Sequence, residues 1–326
     1  MYIKNLQFSL WADFIEREYL DTTFRDLITR GIINGATSNP TIFKNAILTS
    51  KAYQKQIASL SNLPPKEKYE AIAIFDIQKA ADVLHPLFKQ KDDGYVSIEV
   101  DPFLCDDAEA TVQEAKRLHA LIGRDNVMIK VPATPAGYEA MEELTASSVA
   151  VNATLVFSKE QAVFCAKAFQ RGLARARINV DTVISVFVSR IDRILDTLLK
   201  AKNLPCAVAG IYNASVIYET IEAMHIKGCK VLFASTGVRG DDLKPSYYIE
   251  KLLAFNSINT APIKTIEAFI ENKNHSSNLP IDRNITDKFF TDLQKNDIDF
   301  DAVLEELIKD GLQSFQLAFT EILENL

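Results

Sequence analysis

The sequence predicts an α/β protein, a (β/α)8 barrel of the TIM type with additional C-terminal helices. Short apolar runs recur along the 326 residues, and each is followed by a segment with the apolar spacing of a helix. The runs are almost continuously apolar, which is typical of parallel strands covered by helices. Eight such units in one series match a barrel of ~250 residues, which leaves the end of the chain for further helices.

The boundaries of the units are marked by residues that begin or end helices. Pro40 stands at a first helical position, Asp107 can cap a helix that ends at Gly123, and Ser158 with Gln161 has the spacing of a capping box. The predicted strands lie near Phe8–Asp13, Ile33–Ser38, Tyr95–Val100, Val127–Val131, Val149–Val156, Val183–Val188, Lys230–Ser235 and Asn256–Thr260.

The end of the chain differs from this series. A polar stretch, Asn272–Pro280, is followed by a segment with apolar residues at helical period. We therefore predict a single domain over 1–326, with the barrel in 1–262 and a helical extension packed on it in 263–326. The apolar stripe of the last predicted helix comprises Val303, Leu304, Leu307, Leu312, Phe315, Phe319, Ile322 and Leu323.

Composition and charge exclude several classes of protein. A chain that is 48% hydrophobic and 24% charged is globular, and its net charge of −7 disfavours binding of nucleic acid. No segment has the pattern of a signal peptide or the ~20 apolar residues of a membrane span. The cysteines and histidines lack the spacing of a disulfide framework or a zinc site, so we expect a cytoplasmic protein without a structural metal. These residues are Cys105, Cys165, Cys206, Cys229, His85, His119, His225 and His275.

Polar residues concentrate on one face of the predicted strands. Alternate residues of a barrel strand point inward, and catalytic groups of such barrels lie at the carboxyl ends of the strands. In Val149–Val156, for example, Asn152 and Thr154 share a face opposite Val151, Ala153 and Leu155. We therefore expect a polar upper layer inside the barrel. Its members would be Asp13, Ser97, Glu99, Lys130, Asn152, Thr154, Ser185, Phe187 and Ser235.

Lys130 is the most informative of these residues, because it lies in the otherwise apolar strand Val-Met-Ile-Lys-Val-Pro. Burial and nearby cations favour the neutral amine of a lysine, which is a nucleophile. Such an amine forms a Schiff base with a ketone, and the protonated imine accepts the electrons of a breaking carbon–carbon bond. Asp13 and Glu99 at the same mouth could transfer the protons. The alternatives are a lysine that reaches solvent and carboxylates that form salt bridges.

Several further residues have both a functional and a structural interpretation. Asn39 could bind substrate or only cap a helix, whereas two inward polar groups, Asn152 and Thr154, need partners. Ser185 could bind substrate or a backbone carbonyl. Arg190 could hold a phosphate or pair with a surface acid. A separate basic cluster is interpreted as a solvated helix end, and it consists of Arg171, Arg175 and Arg177.

The loop after the seventh predicted strand, Ala-Ser-Thr-Gly-Val-Arg-Gly (234–240), suits an anion. Barrels of this type often bind phosphate at this position. Backbone N–H groups at the glycine turn and the guanidinium of Arg239 are suitable donors.

Seven segments in order resemble the transaldolase family. They are Leu-Trp-Ala-Asp (10–13), Gly-Ala-Thr-Ser-Asn-Pro-Thr-Ile-Phe (35–43), Ser-Ile-Glu-Val-Asp (97–101), Met-Ile-Lys-Val-Pro-Ala-Thr (128–134), Val-Asn-Ala-Thr-Leu-Val-Phe-Ser (151–158), Ser-Val-Phe-Val-Ser-Arg-Ile-Asp (185–192) and Phe-Ala-Ser-Thr-Gly-Val-Arg (233–239). The C-terminal helices resemble a longer branch of the family.

The resemblance implies an enzyme of the pentose phosphate pathway that transfers aldehyde or ketone residues and needs no metal or organic cofactor. A dihydroxyacetone unit would move from sedoheptulose 7-phosphate to glyceraldehyde 3-phosphate, giving erythrose 4-phosphate and fructose 6-phosphate. The family's Schiff-base lysine falls on Lys130. Asp13 would be the base that cleaves the carbon–carbon bond, and Glu99 would act through a water in imine formation. By the same resemblance the dihydroxyacetone moiety and that water would contact Asn39, Asn152, Thr154 and Ser185, and the phosphate would contact Arg190 and Ser235.

Two positions separate this sequence from its relatives. Gly237 stands where the better-known branch has an arginine, and we hypothesise that Arg239 replaces it. Phe187 stands where related short aldolases carry a tyrosine, whose hydroxyl favours release of free dihydroxyacetone. The phenyl ring therefore favours transfer. The alternatives are a Schiff-base aldolase and a non-catalytic barrel that binds phosphosugars, and the protein could be a monomer or a homodimer.

Overall fold

The computed structural model describes residues 1–271 and 276–326, and in them eight parallel strands form a closed barrel in sequence order. The predicted fold class is confirmed. The predicted strands are all present, with ends displaced by at most two residues. The strands are β1 Ser9–Ala12, β2 Gly35–Thr37, β3 Tyr95–Glu99, β4 Val127–Pro132, β5 Val151–Val156, β6 Thr182–Phe187, β7 Cys229–Ala234 and β8 Ile258–Ala261.

Helices connect the strands and cover the outside of the barrel. They are α1 Arg17–Asp21, α2 Thr23–Thr29, α3 Pro40–Thr49, α4 Gln54–Ser59, α5 Pro65–Lys89, α6 Ala108–Ile122, α7 Pro135–Ala146, α8 Lys159–Arg175, α9 Ser189–Ala201, α10 Ala209–Glu222, α11 Tyr247–Lys251, α12 Ile263–Ile270, α13 Arg283–Lys295 and α14 Phe300–Asn325. Short 3-10 helices lie at Lys4–Leu6, Lys51–Tyr53 and Pro102–Leu104.

The predicted helix boundaries are confirmed at three places. Pro40 is the first residue of α3. Asp107 caps α6 by accepting a hydrogen bond from the Ala110 backbone N–H, and Gly123 ends that helix in the left-handed region. The capping box of Ser158 at the start of α8 is also formed. These caps satisfy backbone donors that a helix end leaves unpaired.

Two apolar layers stabilise the barrel. The outer layer lies between strands and helices and includes Val96, Ile98 and Ile129. The second layer fills the lower barrel, where it includes Trp11, and it continues to side chains of α9, α13 and α14. A side chain at residue 35 of β2 would collide with the indole of Trp11, so glycine is required there. The other large side chains of this lower layer include Tyr95, Met128, Val183, Leu232 and Ile258.

The last two helices follow the barrel, and α14 reaches back across it. The apolar stripe of α14 is buried as predicted at Leu304, Leu307, Phe315, Phe319 and Ile322. This helix contacts α3, α5, α9 and the carboxyl end of β5. The division of the domain at residues 262 and 263 stays a prediction. Part of the predicted polar stretch, residues 272–275, lies outside the described residues.

The predicted alternation is wrong at one residue of β5. The sequence pattern places Leu155 on the outer face with Val151 and Ala153. The pairing of β5 with β6 shifts between Ala153 and Val156, and Leu155 has a positive φ of 56°. Because this irregularity reverses the direction of the following side chain, Leu155 packs with Phe187 and Phe315 rather than with Val151 and Ala153. It meets α14 at Gly311, where an added Cβ would lie 2.9 Å from the leucine side chain.

No helix within residues 1–271 and 276–326 combines the length and the apolar character that crossing a membrane requires.

Candidate active site

A cavity of about 500 Å³ opens at the carboxyl ends of the barrel strands. Strand ends, the loop after β7, and helices α9 and α14 contribute to its wall. Among the predicted site residues it is lined by Asp13, Asn39, Lys130, Thr154, Ser185, Phe187, Arg190, Ser235 and Arg239. Two others, Glu99 and Asn152, do not line this cavity and lie directly behind residues that do.

Lys130 is almost completely buried at the centre of this site, with 4% of its surface exposed. The register of β3 and β4 places it beside Glu99. Its Nζ donates to the backbone carbonyl of Ser38 at 2.9 Å and to Oε2 of Glu99 at 3.2 Å. The alternative of a lysine that reaches solvent is therefore wrong, whereas the salt bridge considered for Glu99 is present.

The second carboxylate, Asp13, follows β1 and faces the same cavity. Its Oδ1 accepts a hydrogen bond of 2.7 Å from the hydroxyl of Thr37, which also pairs with the hydroxyl of Thr260 at 2.6 Å. Within the described residues Asp13 has no ion pair closer than 4.0 Å, so the salt-bridge alternative does not hold for it. Asp13 is thus positioned by a hydroxyl and stays available to a ligand.

The pKa values of both carboxyl groups lie above their ordinary values. Burial raises the pKa of Asp13, and the charge of Lys130, the Thr37 hydrogen bond and Arg190 oppose this effect. Burial also raises the pKa of Glu99, again opposed by Lys130. Carboxyl groups with raised pKa values near a nucleophile are suited to proton transfer close to neutral pH.

A line of hydrogen-bonded side chains supports the floor of the cavity. The amide of Asn152 donates to the Ser97 hydroxyl at 3.1 Å, and the Ser185 hydroxyl donates to Oδ1 of Asn152 at 2.6 Å. Ser185 therefore binds a side chain rather than the backbone carbonyl considered as its alternative. Thr154, by contrast, has a buried hydroxyl with no hydrogen-bond partner among the residues that the structure describes. An unpaired buried hydroxyl facing a cavity is suited to a ligand.

Asn39 fits both of its interpretations. Its Oδ1 accepts a hydrogen bond of 3.0 Å from the Ile42 backbone N–H and so caps α3. The side chain also lines the cavity. Because the cap uses only the oxygen, the NH₂ group can donate to a ligand.

Arginines form the outer wall of the cavity. The guanidinium of Arg190 lies 5.1 Å from the ring centroid of Phe187, and its pKa is lowered by burial and by the charge of Arg239. Among the described residues Arg190 has no carboxylate within 4.0 Å, so it does not pair with a surface acid. Arg171 and Arg175, by contrast, pair with glutamates of α7 at the outside of the barrel, as a solvated cluster would.

The loop after β7 is held in place from below. Ser235 adopts a positive φ of 54°, and its hydroxyl lies 3.2 Å from that of Ser189. The hydroxyl of Thr236 donates to Asn259 and to the carbonyl of Thr260. A Cβ at Gly237 would lie 3.1 Å from the ring of Pro262, so a side chain there would be crowded, while Arg239 lines the cavity.

Sequence reasoning missed several residues of the cavity wall. Thr37 and Thr260 lie at inward positions of β2 and β8, so the same parity argument could have found them. Arg193 follows Arg190 by three residues, which places both on one face of a helix. The contribution of α14 had no local signal. It consists of Leu307, Asp310, Ser314 and Phe315.

Within the described part of the chain, no three histidine, cysteine, aspartate or glutamate side chains are arranged to hold a metal ion.

Comparison with known proteins agrees with this geometry. The family model for transaldolase and fructose-6-phosphate aldolase matches residues 10–326. The chain belongs to this family. It is similar to the transaldolase of Campylobacter jejuni strain RM1221, at 46% identity over 98% of this chain and 99% of that protein. It is also similar to the transaldolase of Helicobacter pylori strain 26695, at 42% identity over 98% of this chain and 99% of that protein.

Proposed function

We propose that this enzyme is a transaldolase that moves a dihydroxyacetone unit through a Schiff base on Lys130. The donor would be sedoheptulose 7-phosphate, the acceptor glyceraldehyde 3-phosphate, and the products erythrose 4-phosphate and fructose 6-phosphate. The observation that carries the proposal is a buried lysine that is hydrogen-bonded to the carboxylate of Glu99 and shares a cavity of about 500 Å³ with the carboxylate of Asp13. The relatives named transaldolase support the same reaction.

Imine formation requires Lys130 to lose a proton before it attacks. Glu99 is hydrogen-bonded to Nζ at 3.2 Å and can accept that proton, directly or through a water. The amine then attacks the ketone carbon of the donor and gives a carbinolamine. Protonation of its hydroxyl by the same carboxyl group releases water and leaves the protonated imine. Hydrolysis after transfer reverses these steps.

Asp13 is suited to the cleavage step. As a base it takes the proton from a substrate hydroxyl. This hydroxyl is on the carbon that leaves with the aldehyde product when the carbon–carbon bond breaks. That oxygen becomes the aldehyde of the leaving sugar, and the electrons of the carbon–carbon bond move into the imine to form an enamine. The hydrogen bond from Thr37 at 2.7 Å holds the carboxylate in one orientation for this transfer. The enamine then attacks the aldehyde of the acceptor.

The remaining predicted residues would hold the substrate. Asn39, Thr154 and Ser185 line the floor near Lys130, where the dihydroxyacetone unit would bind, and Asn152 orients Ser185. Arg190, Ser235 and Arg239 line the outer wall, where the phosphate would bind. Arg239→Ala is expected to raise KM for phosphorylated substrates, and an unchanged KM would remove it from the site.

Transfer rather than release is favoured by Phe187. Its ring packs against Phe157, with 5.3 Å between centroids, and beneath Arg190, and it offers no hydroxyl to a water or to the enamine. The intermediate would therefore wait for an aldehyde. Incubation with fructose 6-phosphate alone should give little free dihydroxyacetone, and addition of erythrose 4-phosphate should give sedoheptulose 7-phosphate. Steady release without an acceptor would instead support the aldolase.

We also propose a cytoplasmic location, where soluble sugar phosphates are found. All four cysteines are free thiols, which suits a reducing compartment. The enzyme would act as a monomer or a homodimer on small-molecule sugar phosphates.

A further inference from the structure

We propose that Arg193 is a third cation of the phosphate site and that it makes the enzyme prefer phosphorylated over unphosphorylated aldehydes. This inference rests on the proposed transfer reaction and adds a residue to it. Arg193 belongs to α9 and is one of three arginines, with Arg190 and Arg239, that line the active-site cavity. We call these three residues the arginine wall.

The helix places Arg193 on the same face as Arg190. Residues three apart on a helix are neighbours, and α9 begins at Ser189, directly after β6. Arg193 and Arg239 also line a second cavity of about 530 Å³ on the other side of this wall. The two side chains therefore separate the cavities and can present their N–H groups to an anion in the active site.

Among the described residues, Arg193 has no carboxylate partner of the kind that a cation on a helix commonly has. The two nearest acids of α9 are engaged elsewhere. Asp192 accepts hydrogen bonds from the Gly210 backbone N–H and from the Tyr248 hydroxyl, each at 2.8 Å. Asp196 accepts from the Ala207 backbone N–H at 2.8 Å. Within residues 1–271 and 276–326, no carboxylate oxygen lies within 4.0 Å of Arg193.

The surroundings of Arg193 disfavour its charge in the absence of an anion. Although the residue is exposed overall, partial burial lowers its pKa to about 10, and the positive charges of Arg239 and Arg190 act in the same direction. Asp310 lines the same cavity and partly offsets the charge of Arg190. Three neighbouring guanidiniums that form no ion pair within 4.0 Å among the described residues still repel one another, and a bound anion would relieve that repulsion.

A phosphate monoester has the chemistry that this wall requires. It carries a charge of about −1.5 to −2 at pH 7 and has three strong acceptor oxygens. Guanidinium groups bind such oxygens with two parallel N–H donors. An aldehyde without a phosphate cannot make these contacts, so it would gain nothing from Arg193.

The test compares two acceptors, glyceraldehyde 3-phosphate and glyceraldehyde, with sedoheptulose 7-phosphate as the donor at saturation, so that erythrose 4-phosphate is released in both reactions. In Arg193→Ala, kcat/KM for glyceraldehyde 3-phosphate should fall about ten- to hundredfold, as expected for a lost hydrogen bond to a charged group. The value for glyceraldehyde should stay within about twofold of the wild type. For glyceraldehyde 3-phosphate, the kcat/KM of Arg193→Lys should lie between those of the wild type and Arg193→Ala, because lysine keeps the charge and loses the planar pair of donors.

Lys200→Ala is the matched control, since it removes a cation from the same helix but from the second cavity. It should behave as the wild type with both acceptors. Arg193→Gln provides a second neutral variant if Arg193→Ala does not fold. An unchanged preference in the neutral variants, or an equal loss with both acceptors, would overturn the role of Arg193.

A binding measurement separates this inference from the proposed reaction. Titration calorimetry with inorganic phosphate should show weaker binding to Arg193→Ala than to the wild type and to Lys200→Ala. If the wild type transferred no dihydroxyacetone, the proposed reaction would fail, and this titration would still decide whether Arg193 binds phosphate. Equal phosphate affinity in all three proteins would overturn the inference.

Discussion

Both ends of the barrel interior place a lysine against an acidic side chain, but their surroundings differ. At the carboxyl end, Nζ of Lys130 lies 3.2 Å from Glu99. At the amino end, Nζ of Lys230 lies 2.8 Å from Asp93. The amino-end carboxylate also accepts a hydrogen bond of 3.2 Å from the indole N–H of Trp11.

The space next to each pair differs by more than an order of magnitude. At the amino end a cavity of about 20 Å³ remains among large side chains such as Trp11 and Tyr95, and Asp181 accepts a hydrogen bond from the Tyr95 hydroxyl. At the carboxyl end the cavity is about 500 Å³, and within the described residues the arginines of its wall have no carboxylate oxygen within 4.0 Å. The same residue types close one end of the barrel and leave the other end available for chemistry.

The largest difference in activity between the two ends should appear when Lys130 and Lys230 are replaced, one at a time, with methionine. Lys130→Met removes the nucleophile, so kcat for transfer should fall by at least about 10³-fold. Lys230→Met should leave kcat per folded molecule unchanged and lower the free energy of unfolding by about 1–3 kcal/mol, because it removes a partner of Asp93. Steady-state kinetics and urea unfolding of both variants measure this. Equal loss of activity in both would contradict the distinction between the two ends.

Asp13→Asn should have the next largest effect. Without a base for the substrate hydroxyl, kcat should fall about 10²- to 10⁴-fold. Imine formation should continue, because Lys130 and Glu99 are untouched, and borohydride should still trap an adduct. Asp93→Asn at the amino end is the control and should retain kcat. Loss of trapping in Asp13→Asn would show that Asp13 acts before cleavage.

The pH profile of kcat should also report on Asp13. The base must be deprotonated, so activity should fall as pH falls through its pKa. Because burial raises that pKa, the acid limb should lie above the ~3.9 of an ordinary aspartate. The measurement is kcat against pH at constant ionic strength. In Asp13→Asn the residual activity should lack this limb, and a limb of unchanged position in the variant would exclude Asp13 as its source.

The smallest effect is expected when either of two buried threonines is replaced with valine. Among the described residues, the buried hydroxyl of Thr154 at the carboxyl end has no hydrogen-bond partner, and that of Thr182 at the amino end interacts only with the weakly accepting thiol group of Cys229. Valine at either position should change the free energy of unfolding by less than about 1 kcal/mol. Only Thr154→Val should lower kcat/KM, by about tenfold, since only that hydroxyl faces the active-site cavity. An equal effect on kcat/KM at both positions would show a general effect on the barrel.

The strands and most of the floor of the site could be predicted from the sequence. Alternation along each strand is a local property, so the sequence alone identifies Glu99, Lys130 and Ser185 as inward residues. The caps at Asp107 and Ser158 are equally local, because a side chain bonds a backbone group three residues away. The position of Leu155 was not predictable in this way, because a bulge reverses the alternation after Thr154.

The outer wall of the site depends on contacts between distant parts of the chain. Asp310 and Phe315 reach the cavity because α14 crosses the barrel, where Gly311 allows it to approach Leu155 and Arg190. The apolar stripe of α14 predicts that the helix packs against another part of the protein. It does not indicate which face of the barrel the helix covers. The spacing of Arg193 to Arg190 predicts that both lie on one face of a helix. That no described carboxylate pairs with Arg193 could be established only from the three-dimensional structure.

The most direct test of Lys130 as the Schiff-base residue is chemical trapping. The protein is incubated with fructose 6-phosphate, reduced with borohydride, digested and analysed by peptide mass spectrometry. We predict a three-carbon adduct on the peptide that contains Lys130, and none on the peptide that contains Lys230. Absence of the adduct from the Lys130 peptide, or its presence on another lysine, would contradict the account.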